Sequence, residues 1–320
     1  MREFPWGEVR QALRVAQRVA VVSHVRPDGD AVGSVLGLGW ALRAAGKQVS
    51  LALADGVPLN LRHLPGAEDI APQVAGEVDW IIVVDASDRG RVGTALPAEA
   101  VVDLNIDHHK TNTAYARYNL VNPEAVSTTA VLVEFIAEMG LPLPQEAAEA
   151  LLTGLITDTI GFRTANMSPQ ALRLAADLME KGADLSTLYF KALVERTYEA
   201  LRYWGAGLSR LQREGPLVWT ALTLADREAV GYPGNDDADL VNLLNAVQGT
   251  LIAVIFIEQS DGTVKVSWRA CPGVDVSGVA LQFGGGGHAP AAGATIPGPL
   301  SEVQERVLAA TRRLLAPQEV

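Results

Sequence analysis

The 320-residue chain holds a single cysteine, Cys271. That excludes an intrachain disulfide framework and a thiolate metal cluster. No continuous apolar stretch reaches the ~20 residues that a membrane span needs. The first residues, MREFPWGEVRQALR, lack the apolar core of a secretory signal, so a cytoplasmic location is expected. Basic residues are also short. Residues 1–199 carry 17 basic and 25 acidic side chains, residues 200–320 carry 9 and 12, and the net charge is −11. Long nucleic acids are held by many Lys/Arg–phosphate contacts, which neither half is equipped to supply. A local pocket for a short phosphorylated substrate stays open. The six tryptophans are scattered. Trp268, beside Arg269, reads as core packing on a strand before it reads as a base-stacking platform.

The length predicts two domains, and 48% hydrophobic content fits a packed core. The first half alternates strand-like and helix-like segments. Strands are expected at 19–24, 48–54, 79–86 and 100–108, and helices at 7–18, 31–46 and through STTAVLVEFIAEMG and QEAAEALLTGLITDT. This βα alternation predicts an α/β fold with a mostly parallel sheet covered by helices on both faces. Residues 191–215 read as a polar connecting helix. Beyond it, PLVWTALTL, TLIAVIFIEQ and TVKVSWRA predict strands of a smaller, mixed α/β domain, with helices at DLVNLLNAV and SEVQERVLAATRRLL. The expected division is 1–190, a helical linker over 191–212, and 213–320.

Four apolar runs end in residues that bind metals: VAVVSHVRPDGDAVGS, WIIVVDASD, VVDLNIDHHKTN and LLTGLITD. They place His24, Asp28, Asp30, Asp85, Asp107, His108, His109 and Asp158 at element ends. Ligands bind beyond the carboxyl ends of parallel strands, so this topology can gather residues that are far apart in sequence. Any one of these aspartates alone is more simply a helix cap or turn residue. As a set of carboxylates and imidazoles they suit hard and borderline divalent ions. Asp28 and Asp30, at i and i+2, can point to two different ions. The adjacent His108 and His109 diverge from a strand, so one ligand and one substrate contact is the better reading. Two divalent ions ~3.5–4 Å apart can clamp a phosphoryl group for in-line attack and lower the pKa of a water.

Together HVRPDGDAVGS, VVDASD, IDHHKTN and ITDT resemble the motifs of the DHH family of phosphoesterases, in order across the first domain. The resemblance implies two divalent ions, usually Mn²⁺, with Mg²⁺ or Co²⁺ as substitutes. It implies that His24 and Asp28 hold one ion, that Asp30, His108 and Asp158 hold the other, and that Asp85 bridges them. His109 would contact the scissile phosphate, with Asp107 orienting the histidine pair. Lys110 and Arg163 are candidates by position for offsetting charge.

The second domain carries RACPGVDVSGVALQFGGGGHAPAAG. A glycine run can offer backbone N–H groups to phosphate, although by itself it reads as a flexible turn. With GHxxAAG it resembles the nucleotide-binding domain that accompanies DHH enzymes. That implies a substrate site of Arg269, Gly285, Gly286, Gly287 and His288. Within the family the combination is similar to the bacterial nanoRNase (oligoribonuclease) and pAp phosphatase group. The implied function is exonucleolytic hydrolysis of short oligoribonucleotides to mononucleotides, with 3′-phosphoadenosine 5′-phosphate (pAp) phosphatase activity, in a homodimer with contacts around 127–160. Long duplexes and membranes are not expected partners.

Two positions depart from that group. Ala270 stands where a serine commonly follows the arginine, and Ile160–Gly161 reverses the order in which a glycine follows Asp158 by two. Among alternatives, a family II-type pyrophosphatase would have a different second domain, and the DNA exonucleases of the family are longer. A cyclic-di-AMP or pApA phosphodiesterase is the nearest competitor. A non-catalytic nucleotide-binding regulator is expected to have lost metal ligands.

Overall fold

The computed structural model describes residues 4–315, apart from the side chain of His288. It contains two compact units, Met1–Glu195 and Arg196–Val320. Among the described residues, no helix is long and apolar enough to cross a membrane.

The first unit runs α1 (Trp6–Val15), β1 (Arg18–Val22), α2 (Gly29–Ala44), β2 (Gln48–Ala52), β3 (Trp80–Val84), β4 (Leu104–Asp107), β5 (Tyr118–Val121), α3 (Thr128–Met139), α4 (Gln145–Asp158), α5 (Pro169–Glu180) and α6 (Leu185–Tyr189). The strands form an all-parallel sheet in the order β2-β1-β3-β4-β5. Strands β1 and β3 are largely Val and Ile because both of their faces are buried, whereas the equally buried β4 carries Asn105 and Asp107 among its four residues. On one face Val19, Val21, Ile82, Val84, Leu104 and Ile106 pack with the core sides of α1 to α4. The other face differs from the expected helical cover. There Val22, Ala52 and Val83 pack under the 3₁₀ segment Arg89–Ala95 and residues Leu96 and Val102. Strand β5 is a short edge strand that the sequence pattern did not signal. Its four residues are all half-buried, which leaves no alternation to read.

Helix starts follow local chemistry. The Asp28 carboxylate accepts from the backbone N–H groups of Asp30 and Ala31 and so opens α2. Ser127 caps α3 through Ala130 N–H, and Ser168 caps α5, with Pro169 at its first position.

One close crossing sets the geometry of this unit. Gly29, Gly33 and Gly37 recur every four residues and make one stripe along α2. A methyl group on Gly33 would lie 2.5 Å from the Ala150 carbonyl oxygen of α4, and one on Gly37 would lie 2.5 Å from Leu151 Cγ. On α4, a methyl on Gly154 would run into Thr129 and the Asp30 carboxylate. Backbone approach at this pitch sets the beginning of α2 against the end of α4.

The second unit runs α7 (Tyr198–Leu208), β6 (Gln212–Glu214), β7 (Leu217–Leu222), α8 (Leu224–Val230), α9 (Leu240–Leu244), β8 (Ile252–Glu258), β9 (Thr263–Ala270), α10 (Ser277–Gln282), β10 (Gly286–His288), β11 (Ala291–Pro297) and α11 (Leu300–Leu315). Its sheet has the order β10-β11-β9-β8-β7-β6 and is mixed, β7–β8 being its parallel pair. Trp268 is fully buried against α11, and its indole N–H donates to Thr311 Oγ1 at 3.0 Å, as core packing requires.

The connecting helix expected over 191–212 is not continuous. A π-type turn, Phe190–Val194, ends at Glu195, which is extended. Thr197 then starts α7 by accepting from Ala200 N–H. The capping hydroxyl competes with helix continuation, which the charged, helix-favouring composition concealed.

Gly33→Ala is expected to destabilise the protein by about 1–3 kcal/mol through overpacking at a backbone contact. Urea unfolding of the full chain measures this; a wild-type midpoint would remove the crossing from its central place.

Candidate active site

Strands β1, β3 and β4 are neighbours in the sheet, so the residues that follow them meet at one edge. His24 lies two residues beyond β1, Asp85 directly follows β3, and Asp107 ends β4 ahead of His108 and His109. The α2–α4 crossing adds Asp30 from the first turn of α2 and Asp158 from the last residue of α4. Three sets of ligand atoms each fall within 4.8 Å of one another: His24, Asp28 and Asp85; Asp30, His108 and Asp158; and Asp85, His108 and His109. All eight residues predicted in the first domain therefore come together, Asp107 through its contact with His109.

The separations are those of neighbours around an ion. His24 Nε2 lies 3.4 Å from Asp85 Oδ2 and 3.9 Å from Asp28 Oδ1. His108 Nε2 lies 3.6 Å from Asp158 Oδ2 and 4.0 Å from both Asp30 Oδ2 and Asp85 Oδ1. These distances exceed those of N–H···O hydrogen bonds, about 2.7–3.2 Å. The opposite ring nitrogens are engaged by main-chain carbonyls, His24 Nδ1 by Val25 O at 2.8 Å and His108 Nδ1 by Ala125 O at 3.3 Å. With Nδ1–H donating, Nε2 presents its lone pair, the tautomer a metal ligand needs.

Burial makes the carboxylates costly. Asp30 and Asp85 are 2% and 1% exposed. The ion pairs given to Asp30, Asp85 and Asp158 by the described residues all go to imidazoles. Burial pushes the Asp30 carboxyl up, although Thr128 and Thr129 donate backbone N–H groups to it. Burial, followed by the charges of Asp30 and Asp28, pushes Asp85 well above the usual carboxylate range. The same causes push Asp158 up to about 8. Asp85 also has φ 55, a left-handed backbone that non-glycine residues seldom adopt. Buried oxygens and imidazole lone pairs with no cation among them fit divalent ions.

Asp107 behaves in the opposite way. Burial works against its charge, but hydrogen bonds from His109 and Asn112 hold its carboxyl below the usual range. Its Oδ1 accepts from the backbone N–H groups of His108 and His109 and from His109 Nδ1 at 2.7 Å. Its Oδ2 accepts from Asn112 Nδ2 at 2.5 Å, and the same amide reaches Asn105 Oδ1 at 2.7 Å. The adjacent histidines are thereby separated: His108 turns Nε2 to the carboxylates, while His109 commits Nδ1 to Asp107.

The sequence reading missed Thr128, Asn112 and Asn105. Thr128 heads α3 and touches both Asp30 and Asp85. Its only sequence signal is the Ser-Thr-Thr start of an apolar helix, which reads as a cap. Lys110 and Arg163 are exposed, and Arg163 Nε donates to Ile160 O. Ile160 itself has φ 49, so the reversed Ile-Gly order puts a β-branched residue where the backbone favours glycine. A cavity of about 1050 Å³ lined by Glu8, Asp79, Asp103 and Arg117 lies at the amino-terminal edge of the sheet, away from these ligands. The carboxyl-end cluster is the chemically equipped one.

In the second unit Arg269 lies on β9, paired with Ala253 and Ala291. Its Nε donates to Asn242 Oδ1 at 3.1 Å and its Nη1 to Trp268 O. Burial lowers its pKa, against the charges of Asp237 and Asp239. Ala270 points to the opposite, apolar face, where it is 5% exposed, so the missing serine hydroxyl falls in the core layer. The glycine run is not a loop throughout. Gly286 and Gly287 pair with Gly293 and Ala292 of β11. A methyl on Gly285 would strike Gly293 O, and one on Gly287 would lie 2.5 Å from Ala291 O. Close strand pairing thus accounts for two of these glycines. His288 continues β10, and its side chain falls outside the described residues.

Raised carboxyls make a pH prediction for metal-free protein. The unfolded chain releases these protons near pH ~4, whereas the folded chain keeps that of Asp158 to about 8. The folded state binds more protons in between, so stability falls as pH rises through that window. Saturating Mn²⁺ is expected to raise Tm by roughly 5–10 °C, more at high pH than at low pH. Asp85→Asn should raise the metal-free Tm and erase most of the Mn²⁺ shift. Thermal melts in EDTA and in Mn²⁺ check both; a flat metal-free profile would contradict the assignment.

Residues 18–155 match the DHH family, N-terminal domain, and residues 229–316 match the DHHA1 domain. The chain is 37% identical over 318 residues to the bifunctional oligoribonuclease and PAP phosphatase NrnA of Thermus thermophilus, covering 97% of this chain and 95% of that protein. It is 25% identical over 293 residues to the protein of that name from Bacillus subtilis, covering 90% and 92%. The crystal structure of an exopolyphosphatase-related protein from Bacteroides fragilis superposes with a TM-score of 0.88 at 25% identity, covering 97% of this chain and 95% of that one. On these matches the chain belongs to the DHH family and carries a DHHA1 domain in its second unit.

Proposed function

We propose that the protein is a metal-dependent phosphodiesterase that hydrolyses short oligoribonucleotides to mononucleotides and removes the 3′-phosphate of pAp. The observation that carries this reading is the pair of ligand groups at the carboxyl edge of the parallel sheet, with Asp85 between them. The names of the relatives similar over nearly the whole chain support the substrate class. A net charge of −11 also favours short substrates over long duplexes.

In this reading His24 and Asp28 would hold one Mn²⁺, Asp30, His108 and Asp158 would hold the other, and Asp85 would be shared between them. When bound, the ions would offset phosphoryl charge and activate water for in-line attack. The chain's own residues then supply positioning and a proton. Asp107, kept ionised by its donors, fixes the His109 ring through Nδ1. His109 can then contact the scissile phosphate through Nε2–H and hand that proton to the leaving oxygen. Asn112 holds the other Asp107 oxygen and keeps the carboxylate from turning. Arg269, the Gly285–Gly287 segment and His288 are assigned to substrate binding by the second unit. The guanidinium is pre-set by Asn242 for a phosphate or base edge. A homodimer completes the reading; α4 is buried along Ala147–Ile156 apart from Glu149, so within 127–160 the contact would use the outer face of α3, residues 140–146 and Ile160.

Purified protein with Mn²⁺ is expected to release mononucleotides from a 5-mer RNA and phosphate from pAp, and to act poorly on a 24-mer RNA and on pyrophosphate. Asp85→Asn should abolish turnover. His109→Ala should lower kcat by about 10²–10⁴-fold. Arg269→Ala should act mainly on KM. Turnover of pyrophosphate alone would replace this reading with a pyrophosphatase.

A further inference from the structure

Thr128 is the first residue of α3, is fully buried, and lies outside every motif that carries the metal ligands. Its backbone N–H donates to Asp30 Oδ2 at 2.6 Å, and the next N–H, of Thr129, donates to Asp30 Oδ1 at 3.0 Å. The first turn of a 12-residue helix thus holds both oxygens of one carboxylate. The side chain of Thr128 does something separate. Its hydroxyl donates to Asp85 Oδ1 at 2.8 Å.

Those two aspartates play different parts in the ligand groups. Asp30 sits with His108 and Asp158, whereas Asp85 sits both with His24 and Asp28 and with His108 and His109. One residue therefore touches a carboxylate confined to one group and the carboxylate that lies between the groups. The contact also decides which way Asp85 faces. With Oδ1 held by Thr128, Oδ2 is the oxygen 3.4 Å from His24, and Oδ1 is the one 4.0 Å from His108. The Asp85 backbone is fixed from the other side, its N–H donating to Ile106 O at 2.9 Å. Ser127 steadies the peptide by capping Ala130 N–H at 3.1 Å while its hydroxyl meets Thr129 Oγ1 at 2.8 Å.

We propose that Thr128 is a positioning residue that couples the two ion sites, its hydroxyl setting the Asp85 carboxylate for the His24–Asp28 site while its peptide N–H sets Asp30 for the other. This rests on the two-ion reading of the centre. The two contacts come from different parts of one residue, so a side-chain change separates them. Thr128→Val keeps the shape and the peptide N–H but removes the donor to Asp85. It should weaken the His24–Asp28 site, which has only Asp85 besides those two, more than the site that keeps Asp30, His108 and Asp158. Thr128→Ser keeps the hydroxyl and should behave like wild type.

The test is stepwise Mn²⁺ binding to the metal-free full chain, followed by electron paramagnetic resonance of free and bound ion, with kcat as a second readout. Wild type should bind two Mn²⁺. Thr128→Val should lose about 10–100-fold in one step, the range for removing a hydrogen-bond partner of a ligand. The other step should fall by less than about 5-fold, and Thr128→Ser should restore both steps to within about 3-fold. Excess Mn²⁺ should recover part of the lost kcat in the valine variant. If circular dichroism shows that Thr128→Val does not fold, Thr128→Ala takes its place in the same titration. Two steps unchanged in the variant would overturn the role of Thr128 while leaving the metal centre standing. Equal weakening of both steps, unrescued by serine, would reduce Thr128 to packing and also overturn it. Fewer than two ions on wild type would overturn the two-ion reading and this proposal with it.

Discussion

Buried negative charge at the carboxyl edge of the parallel sheet is the constraint on which the rest of this unit depends. Asp30 and Asp85 are almost wholly removed from water, and Asp158 lies beside them. Isolated carboxylates in such a place cost several kcal/mol each unless something positive joins them. The fold supplies imidazole lone pairs at ligand distance and no Lys or Arg ion pair for these three among the described residues. The glycine stripe of α2 serves the same end. Without side chains at the crossing with α4, the start of one helix can approach the end of the other, which is where two of the carboxylates sit.

One residue type does two jobs here, and hydrogen-bond donors decide which. Asp107 and Asp85 both follow core strands. Asp107 is met by backbone N–H groups, by His109 and by Asn112, so its charge is stabilised and its carboxyl titrates low. Asp85 is met by one Thr128 hydroxyl, by imidazoles at 3.4–4.0 Å and by other carboxylates, and burial raises its carboxyl. The first carboxylate is finished by protein and is suited to orienting a histidine. The second is in a place that a cation would stabilise. The contrast lies in the donors that reach each carboxylate and not in the residue type.

In the second unit the glycine-rich segment answers two demands. Strand pairing leaves no room for a side chain at Gly285 or Gly287, where β11 runs alongside. The same lack of side chains leaves main chain open for a ligand, which is the use proposed for it. Arg269 is committed to Asn242 through Nε, so its position is set by α9 as well as by β9.

The sequence by itself determined the strands that matter, because runs such as VAVVSH and WIIVVDA bury both faces and tolerate little else. It also brought out the candidate ligands, since His24, Asp28, Asp30, Asp85, His108 and Asp158 end such runs, and the structure groups them. It could not show where a helix yields to a cap, as at Thr197, because local composition there favours both. Nor could it show the one-sided helical cover of the sheet or the short edge strand β5, which depend on packing between distant segments. Only the tertiary structure decided that Thr128 and Asn112 belong to the centre. Threonine at a helix start and asparagine in a loop have ordinary local uses, and their partners, Asp85 and Asp107, are set beside them by sheet order and helix crossing rather than by spacing along the chain.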